Sequence, residues 1–288
     1  MIYRSNNILA LISPDEDGKL ILNQTLFFQK SLGMNVFLLN ILKKPSLYNK
    51  LFRARNLTFK KDESLERLKK FVESVVEGEV PEFMALRVKV GNPLQIMLLQ
   101  SKKGGYEFMI VDKSGSQQGL NKYEIDKFIS RSVCPVMTIN KDHFTDNFKK
   151  IIIPVDVSRA TSKRLLWATY FARKFNAKIE IVSALKSNLS SRNSLAWKNA
   201  EKLKYMLFQR GIKCNVTILT AHSWEYHKVI VNYIEKEKPG LVIIRTHEEA
   251  STTGTQISTF VSKIVHQCKM PVFTVNKFIN PMPVDFEY

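Results

Sequence analysis

Short apolar runs alternate with amphipathic segments along the whole chain, and the alternation occurs twice. Asn7-Ile8-Leu9-Ala10-Leu11-Ile12 and Ile151-Ile152-Ile153-Pro154-Val155-Asp156 each open a half. Continuous apolar runs of this length fit strands buried on both faces, as in a parallel sheet. Helical periodicity follows over Leu20–Leu32 and Ser162–Phe175, the latter placing Leu165, Leu166, Ala168, Thr169 and Ala172 near one face. Gly33 and Asn176 stand where helix stops are expected.

Second strands are predicted at Asn35–Leu42 and Lys178–Leu185. Charged amphipathic helices come next, over Glu63–Val76 and Leu195–Gln209. Third strands fall at Met84–Val90 and Cys214–Thr220, with helices over Pro93–Gln100 and Tyr226–Lys236. Fourth strands are Phe108–Val111 and Leu241–Ile244. A loop, a helix and a fifth strand close each unit. The closing strands read Cys134-Pro135-Val136-Met137-Thr138-Ile139-Asn140-Lys141 and Met270-Pro271-Val272-Phe273-Thr274-Val275-Asn276-Lys277. Two such endings in register mark a duplicated unit. Strands alternating with helices imply parallel strands joined by right-handed crossovers.

The expected organisation is a first domain over 1–142, a second over 148–277 and a tail over 278–288. The connection near Asp142–Phe148 has no Gly/Ser-rich tract, so the domains should pack closely. At 288 residues the chain suits two cores, and its 44% hydrophobic and 24% charged content is ordinary for a globular protein. No apolar run reaches the roughly 18 residues that span a bilayer, and the N-terminal segment makes a poor signal peptide. Three scattered cysteines without CxxC spacing (Cys134, Cys214 and Cys268) fit reduced thiols and a cytoplasmic location.

Residue by residue, the second half resembles the universal stress protein family. Ile151–Ser158 is similar to the family's opening strand, apolar and ending in an aspartate with a serine close behind. Leu241–Val275 has its strand-loop-helix-strand cadence, and the first half repeats that cadence up to its Cys-Pro-Val-Met-Thr-Ile ending. The resemblance implies two tandem doubly wound α/β domains, each with a five-stranded parallel sheet flanked by helices, of the adenine nucleotide alpha hydrolase-like type. It also implies pairing as a dimer or tandem pseudo-dimer, and a ligand crevice where strand order reverses. The ATP-binding branch uses a Gly-x2-Gly-x9-Gly-Ser/Thr loop after the fourth strand. Glycines there let backbone N–H groups approach phosphate, and the next helix N-terminus favours the charge.

Neither half keeps that loop intact. In the second, Arg245 and Glu248 replace the first two glycines, Ser258 the last, and Thr259 holds the final hydroxyl position. A glutamate there adds bulk and repulsion toward phosphate. Asp156 and Ser158 remain, and the planar fork of Arg245 could contact an anion. In the first half Gly115 fits the second glycine, Asp112 stands at the first, and the segment before the next helix is shorter. Ile12-Ser13-Pro14 replaces the strand-end aspartate, with Asp15 out of register.

Candidate ligand residues are therefore Asp156, Ser158, Arg245, Ser258 and Thr259, with Gly115 in the first half. Three readings stay open: a stress-related binding or regulatory protein without family-type ATP binding, a binder of ATP or another adenine nucleotide using the second domain, and a polyanion- or anionic lipid-binding module. The last comes from the net charge of +18, which is spread along the chain without a nucleic-acid motif. Self-association, within the chain or as a homodimer, and a small ligand are the expected partnerships. His222, His227 and His247 lack metal-site spacing, Cys134 is expected to be buried within the closing strand, and no acid/base pair is placed by motif.

Overall fold

The computed structural model describes residues 6–43, 53–114, 119–155, 163–186, 194–222, 226–246 and 257–276. The first half runs β1 (Asn7–Leu11), α1 (Glu16–Leu32), β2 (Asn35–Leu42), α2 (Arg53–Val76), β3 (Met84–Val90), α3 (Pro93–Lys103), β4 (Phe108–Asp112), α4 (Lys122–Arg131) and β5 (Val136–Ile139). The second runs β6 (Lys150–Pro154), α5 (Lys163–Phe175), β7 (Lys178–Lys186), α6 (Leu195–Phe208), β8 (Cys214–Ala221), α7 (Tyr226–Glu237), β9 (Leu241–Arg245), α8 (Thr259–Gln267) and β10 (Val272–Val275). Tail residues 278–288 lie outside the described residues.

Sequence chemistry explains the punctuation. Asp15, which is out of register as a ligand residue, caps α1 by accepting from Gly18 N at 2.9 Å. That cap starts α1 four residues earlier than its apolar stripe suggests. Asn92 caps α3 through Gln95 N, and Asn121 with Glu124 forms a reciprocal capping box on α4. Gly33 (φ 69°) and Asn176 (φ 48°) end their helices in the left-handed region. The largest length error concerns α2, which begins ten residues before the predicted Glu63. Its first turns carry little apolar periodicity to read.

Each half contributes five parallel strands, but the two sheets are one. Strand order is β3-β2-β1-β4-β5-β10-β9-β6-β7-β8, ten strands in all. The join is the sheet's antiparallel step, with Val272 opposite Thr138, Phe273 opposite Met137 and Thr274 opposite Val136. Side chains reinforce it, since Thr274 Oγ1 donates to Val136 O at 2.8 Å and Thr138 Oγ1 to Val272 O at 3.3 Å. Strand order reverses between β1 and β4, and again between β9 and β6.

Alternation along the strands divides the core into two layers. Ile8, Ala10, Phe108, Ile110, Ile151, Ile153, Ile243 and Phe273 pack with α1, α2, α5 and α6, through residues such as Phe28, Leu68, Trp167 and Leu203. Leu9, Leu11, Met109, Val111, Ile152, Val242, Ile244 and Val272 pack with α3, α4, α7 and α8. The first layer crosses the seam as an aromatic cluster. Phe273 lies 5.6 Å from Phe108, 5.0 Å from Trp167 and 5.0 Å from Phe171 between ring centroids. Trp167 is thus a core residue, and the Cys134 and Cys268 thiols are buried.

The connection between halves is fastened at several points. Gln24 and Thr145 exchange two hydrogen bonds, of 2.9 and 3.0 Å. Phe148 stacks on Phe27 and on Phe175, at 5.0 and 4.7 Å. Gly240 is required where β9 begins, because a Cβ there would stand 2.3 Å from Asn147 O and 2.5 Å from Phe148 Cα.

Candidate functional site

In an open parallel sheet the crevice lies beyond the carboxyl ends of the strands at the order reversal. In the first half that place is bounded by Leu11, Ile12, Ser13, Asp17, Gly18, Ile21, Asp112 and Gly119. It encloses about 20 Å³, room for about one water. Gly18 closes it: its α-carbon packs so tightly under the strand-end turn that a Cβ would lie 1.8 Å from Ser13 O.

Polar groups at the rim bond to one another except for Asp112 Oδ2, which is buried without a hydrogen-bond partner. Asp112 Oδ1 accepts from Ser114 N at 2.8 Å and from Ser114 Oγ at 2.5 Å. Lys141 N donates to Ser114 Oγ, and Lys141 Nζ donates to Asp17 Oδ2 at 3.0 Å. Lys113, next along, turns away from the crevice and crosses the seam, where its Nζ donates to Met270 O at 2.8 Å. Burial lowers the Lys113 ammonium to about 8, with Cys268, Glu235 and Asp112 opposing that fall.

The fourth strand of the second half ends in the same backbone pattern with different side chains. Thr246 N donates to Val275 O as Lys113 N donates to Ile139 O, so the fourth-strand ends superpose in pattern. Arg245 therefore holds the position that Asp112 holds in the first half, and Thr246 that of Lys113. Arg245 is half-buried at the end of β9, opposite Val275. Ser258 is the N-cap of α8, its Oγ accepting from Val261 N at 3.3 Å, and Thr259 follows it exposed in the first turn. The structure thus brings Arg245, Ser258 and Thr259 to the carboxyl side of the second sheet half. Asp156, Ser158 and Gly115, like His247 and Glu248, lie outside the described residues.

Sequence reading missed Gly18, which closes the first site, as well as Lys113 at the seam and Gly240 at the start of β9. It also missed Asp126 on α4, which accepts from Ser262 Oγ at 2.7 Å and lies 2.7 Å from His266 Nε2 on α8. Their signal is a lack of symmetry. Gly18 and Lys113 have no counterpart of the same type in the other half, where helix start and strand end otherwise correspond.

Other polar clusters are structural. Lys150 bridges Glu180 at 2.7 Å and Glu237 at 2.5 Å, while Glu180 also accepts from Thr217 and Tyr233. This cluster sits at the amino end of β6, away from the crevice. Burial pushes the Cys134 thiol up to about 12, which argues against a nucleophile. Among the described residues no group of His, Cys, Asp and Glu could hold a metal ion. No described helix is long and apolar enough to cross a membrane.

A doubly wound, parallel-stranded domain repeated in tandem, with an order reversal in each half, is the class that this fold defines. Residues 147–276 match the model of the Universal stress protein family. The whole fold is also seen in solved structures. A universal stress protein from Archaeoglobus fulgidus DSM 4304 aligns over 96% of this chain and 100% of its own, with TM-score 0.70 and 15% identity. A functionally unknown protein from Pseudomonas aeruginosa PAO1 aligns over 95% of this chain and 93% of its own, with TM-score 0.62 and 17% identity. No curated protein matches the chain.

Proposed function

We propose that the chain is a stress-related binding or regulatory protein that works without turnover, with the first half as a structural partner and the second half facing the ligand. The observation that carries this reading is the closure of the first crevice to about 20 Å³ by Gly18 and the Asp112–Ser114–Lys141 network. A nucleotide needs a pocket of a few hundred Å³. In the second half, Arg245 and Glu248 stand where the family's ATP loop has glycines, which removes the backbone cradle for a triphosphate. Equilibrium binding of labelled ATP tests the reading. The expected result is no micromolar, magnesium-dependent binding; such binding, abolished by Asp156→Ala, overturns it.

A second reading follows from Arg245. A guanidinium at the carboxyl end of β9, on the same side as the N-terminus of α8, would supply one anion contact. With Asp156, Ser158 and Thr259 it would suit ATP or another adenine nucleotide. Mass spectrometry of ligand released from purified protein separates the readings, because nucleotide at any occupancy favours the second. The polyanion reading rests on net charge alone. Retention on heparin or DNA that falls steeply with salt would support it.

A further inference from the structure

The second half carries a hollow at the amino ends of β7 and β8, at the opposite end of the sheet from Arg245 and the N-cap of α8. It is therefore no part of the crevice. Its volume is about 540 Å³, within the range of small-molecule sites. Buried Ile179 and Ile212 line it, and Tyr205 and Phe208 of α6 form its wall. Those two rings are 61% and 74% exposed, a large apolar surface next to a concavity.

Cations frame this apolar surface. Lys178, Lys204 and Lys213 line the hollow against Glu201 alone. Glu201 is engaged by Lys204 at 3.4 Å. Lys178 and Lys213 are left, and among the described residues neither ammonium meets a carboxylate. Ile179 pairs with Cys214 and its N donates to Lys213 O at 2.9 Å, so the two lysines are neighbours where β7 and β8 begin. Like charges on adjacent strands are destabilising unless an anion sits between them. Arg210, two residues past Phe208, and Arg173, which donates to Arg210 O at 3.1 Å, add to the positive field. These cations are scattered in sequence and gathered only by the fold.

Charge and apolar lining together select the occupant. An anionic head answers the lysines, and a hydrocarbon body answers Ile179, Ile212, Tyr205 and Phe208. A nucleic-acid strand could stack bases on the rings but has nothing aliphatic to cover the isoleucines. A flat bilayer surface cannot fill a hollow of this volume. A second copy of the chain would bring its own net charge of +18 to a basic surface.

We infer that the hollow is a binding site for a single-chain anionic amphiphile, with its carboxylate or phosphate head between Lys178 and Lys213 and its alkyl chain along Tyr205 and Phe208. The inference rests on the anion preference in the charge-based reading and gives it a place; heparin retention and amphiphile binding are measured separately, so either can fail alone. Calorimetry with decanoate near neutral pH is the test, with decyl phosphate, octanoate and decyltrimethylammonium in parallel. A single saturable decanoate site is expected. Octanoate, two methylenes shorter, should bind about fifteenfold more weakly. Decyltrimethylammonium should not bind, and the tighter of the two anions assigns the head. Lys178→Glu and Lys213→Glu should each weaken decanoate by about tenfold or more. Phe208→Ser should weaken it as well. All three side chains are exposed, so circular dichroism should be unchanged. Lys70→Glu, the same change of charge on an exposed position of α2, should bind as the wild type does. No saturable decanoate binding, equal binding of decyltrimethylammonium, affinity untouched by Lys178→Glu and Lys213→Glu, or affinity reduced equally by Lys70→Glu would overturn the inference. Binding confined to phospholipid vesicles or to an oligonucleotide, and lost in the same variants, would overturn it too.

Discussion

The two halves share backbone and differ in what stands at the carboxyl end of the fourth strand. In the first half that place is Asp112-Lys113-Ser114; in the second it is Arg245-Thr246. The first is turned inward, with one oxygen of its carboxylate held by Ser114, the other buried without a partner, and its ammonium on Met270 O across the seam. The second places a guanidinium at the same point without a tight glycine contact like that of Gly18 among its described residues. A duplicated crevice can thus become part of the interior in one copy while the matching strand end of the other carries different chemistry. The two outer edges repeat the lesson, with β3 carrying cations and β8 carrying none.

The seam is where this comparison breaks most severely. Phe273→Ala removes a ring touching Phe108, Trp167 and Phe171, and should cost about 3–5 kcal/mol in denaturant unfolding. Both halves should lose cooperativity together, because one cluster serves both. Gly18→Ala should cost about 3 kcal/mol, since the new Cβ meets a backbone oxygen that cannot rotate away. The variant should also respond to ligand no differently from wild type if the first crevice is closed; thermal shift with nucleotide checks this.

Lys113→Met sharpens the contrast with Thr246. A folded-state pKa lowered to about 8 from 10.5 means the unfolded chain binds the proton more tightly. The penalty of burying the ammonium is fully present below about pH 8. It fades as pH rises toward 10.5, so wild-type stability should rise with pH in that window. The methionine variant should lack this rise and be at least as stable near pH 7, gaining up to about 3 kcal/mol less the lost hydrogen bond. Urea titrations at pH 7 and pH 9.5 measure the difference. The smallest expected effect is Arg245→Ala, within about 0.5 kcal/mol for a half-buried strand-end side chain. Any anionic ligand of the second half should nevertheless bind it markedly more weakly, by calorimetry.

Much of the fold was legible from pattern. Apolar runs gave the strands to within a residue or two, because strands covered by helices on both faces need unbroken hydrophobicity. Gly33 and Asn176 marked their turns through backbone chemistry that needs no tertiary knowledge. The site was legible only as a list. Arg245, Ser258 and Thr259 could be aligned to a loop, but that Ser258 works as a helix cap is a matter of geometry. Closure of the first crevice was hidden because it depends on one α-carbon lying against one carbonyl.

By itself the sequence determined the class: a duplicated α/β unit, parallel strands, a tight connection and a decayed glycine loop. Those properties are local or periodic, and each leaves its mark in neighbouring residues. Tertiary structure alone decided that two five-stranded sheets become one, that Lys113 reaches 157 residues along the chain to Met270, and that β8 ends the strand order among the described residues. Each of those outcomes depends on which edges meet in space. Pairing of edges is set by shape and charge over whole surfaces, which no window of sequence contains.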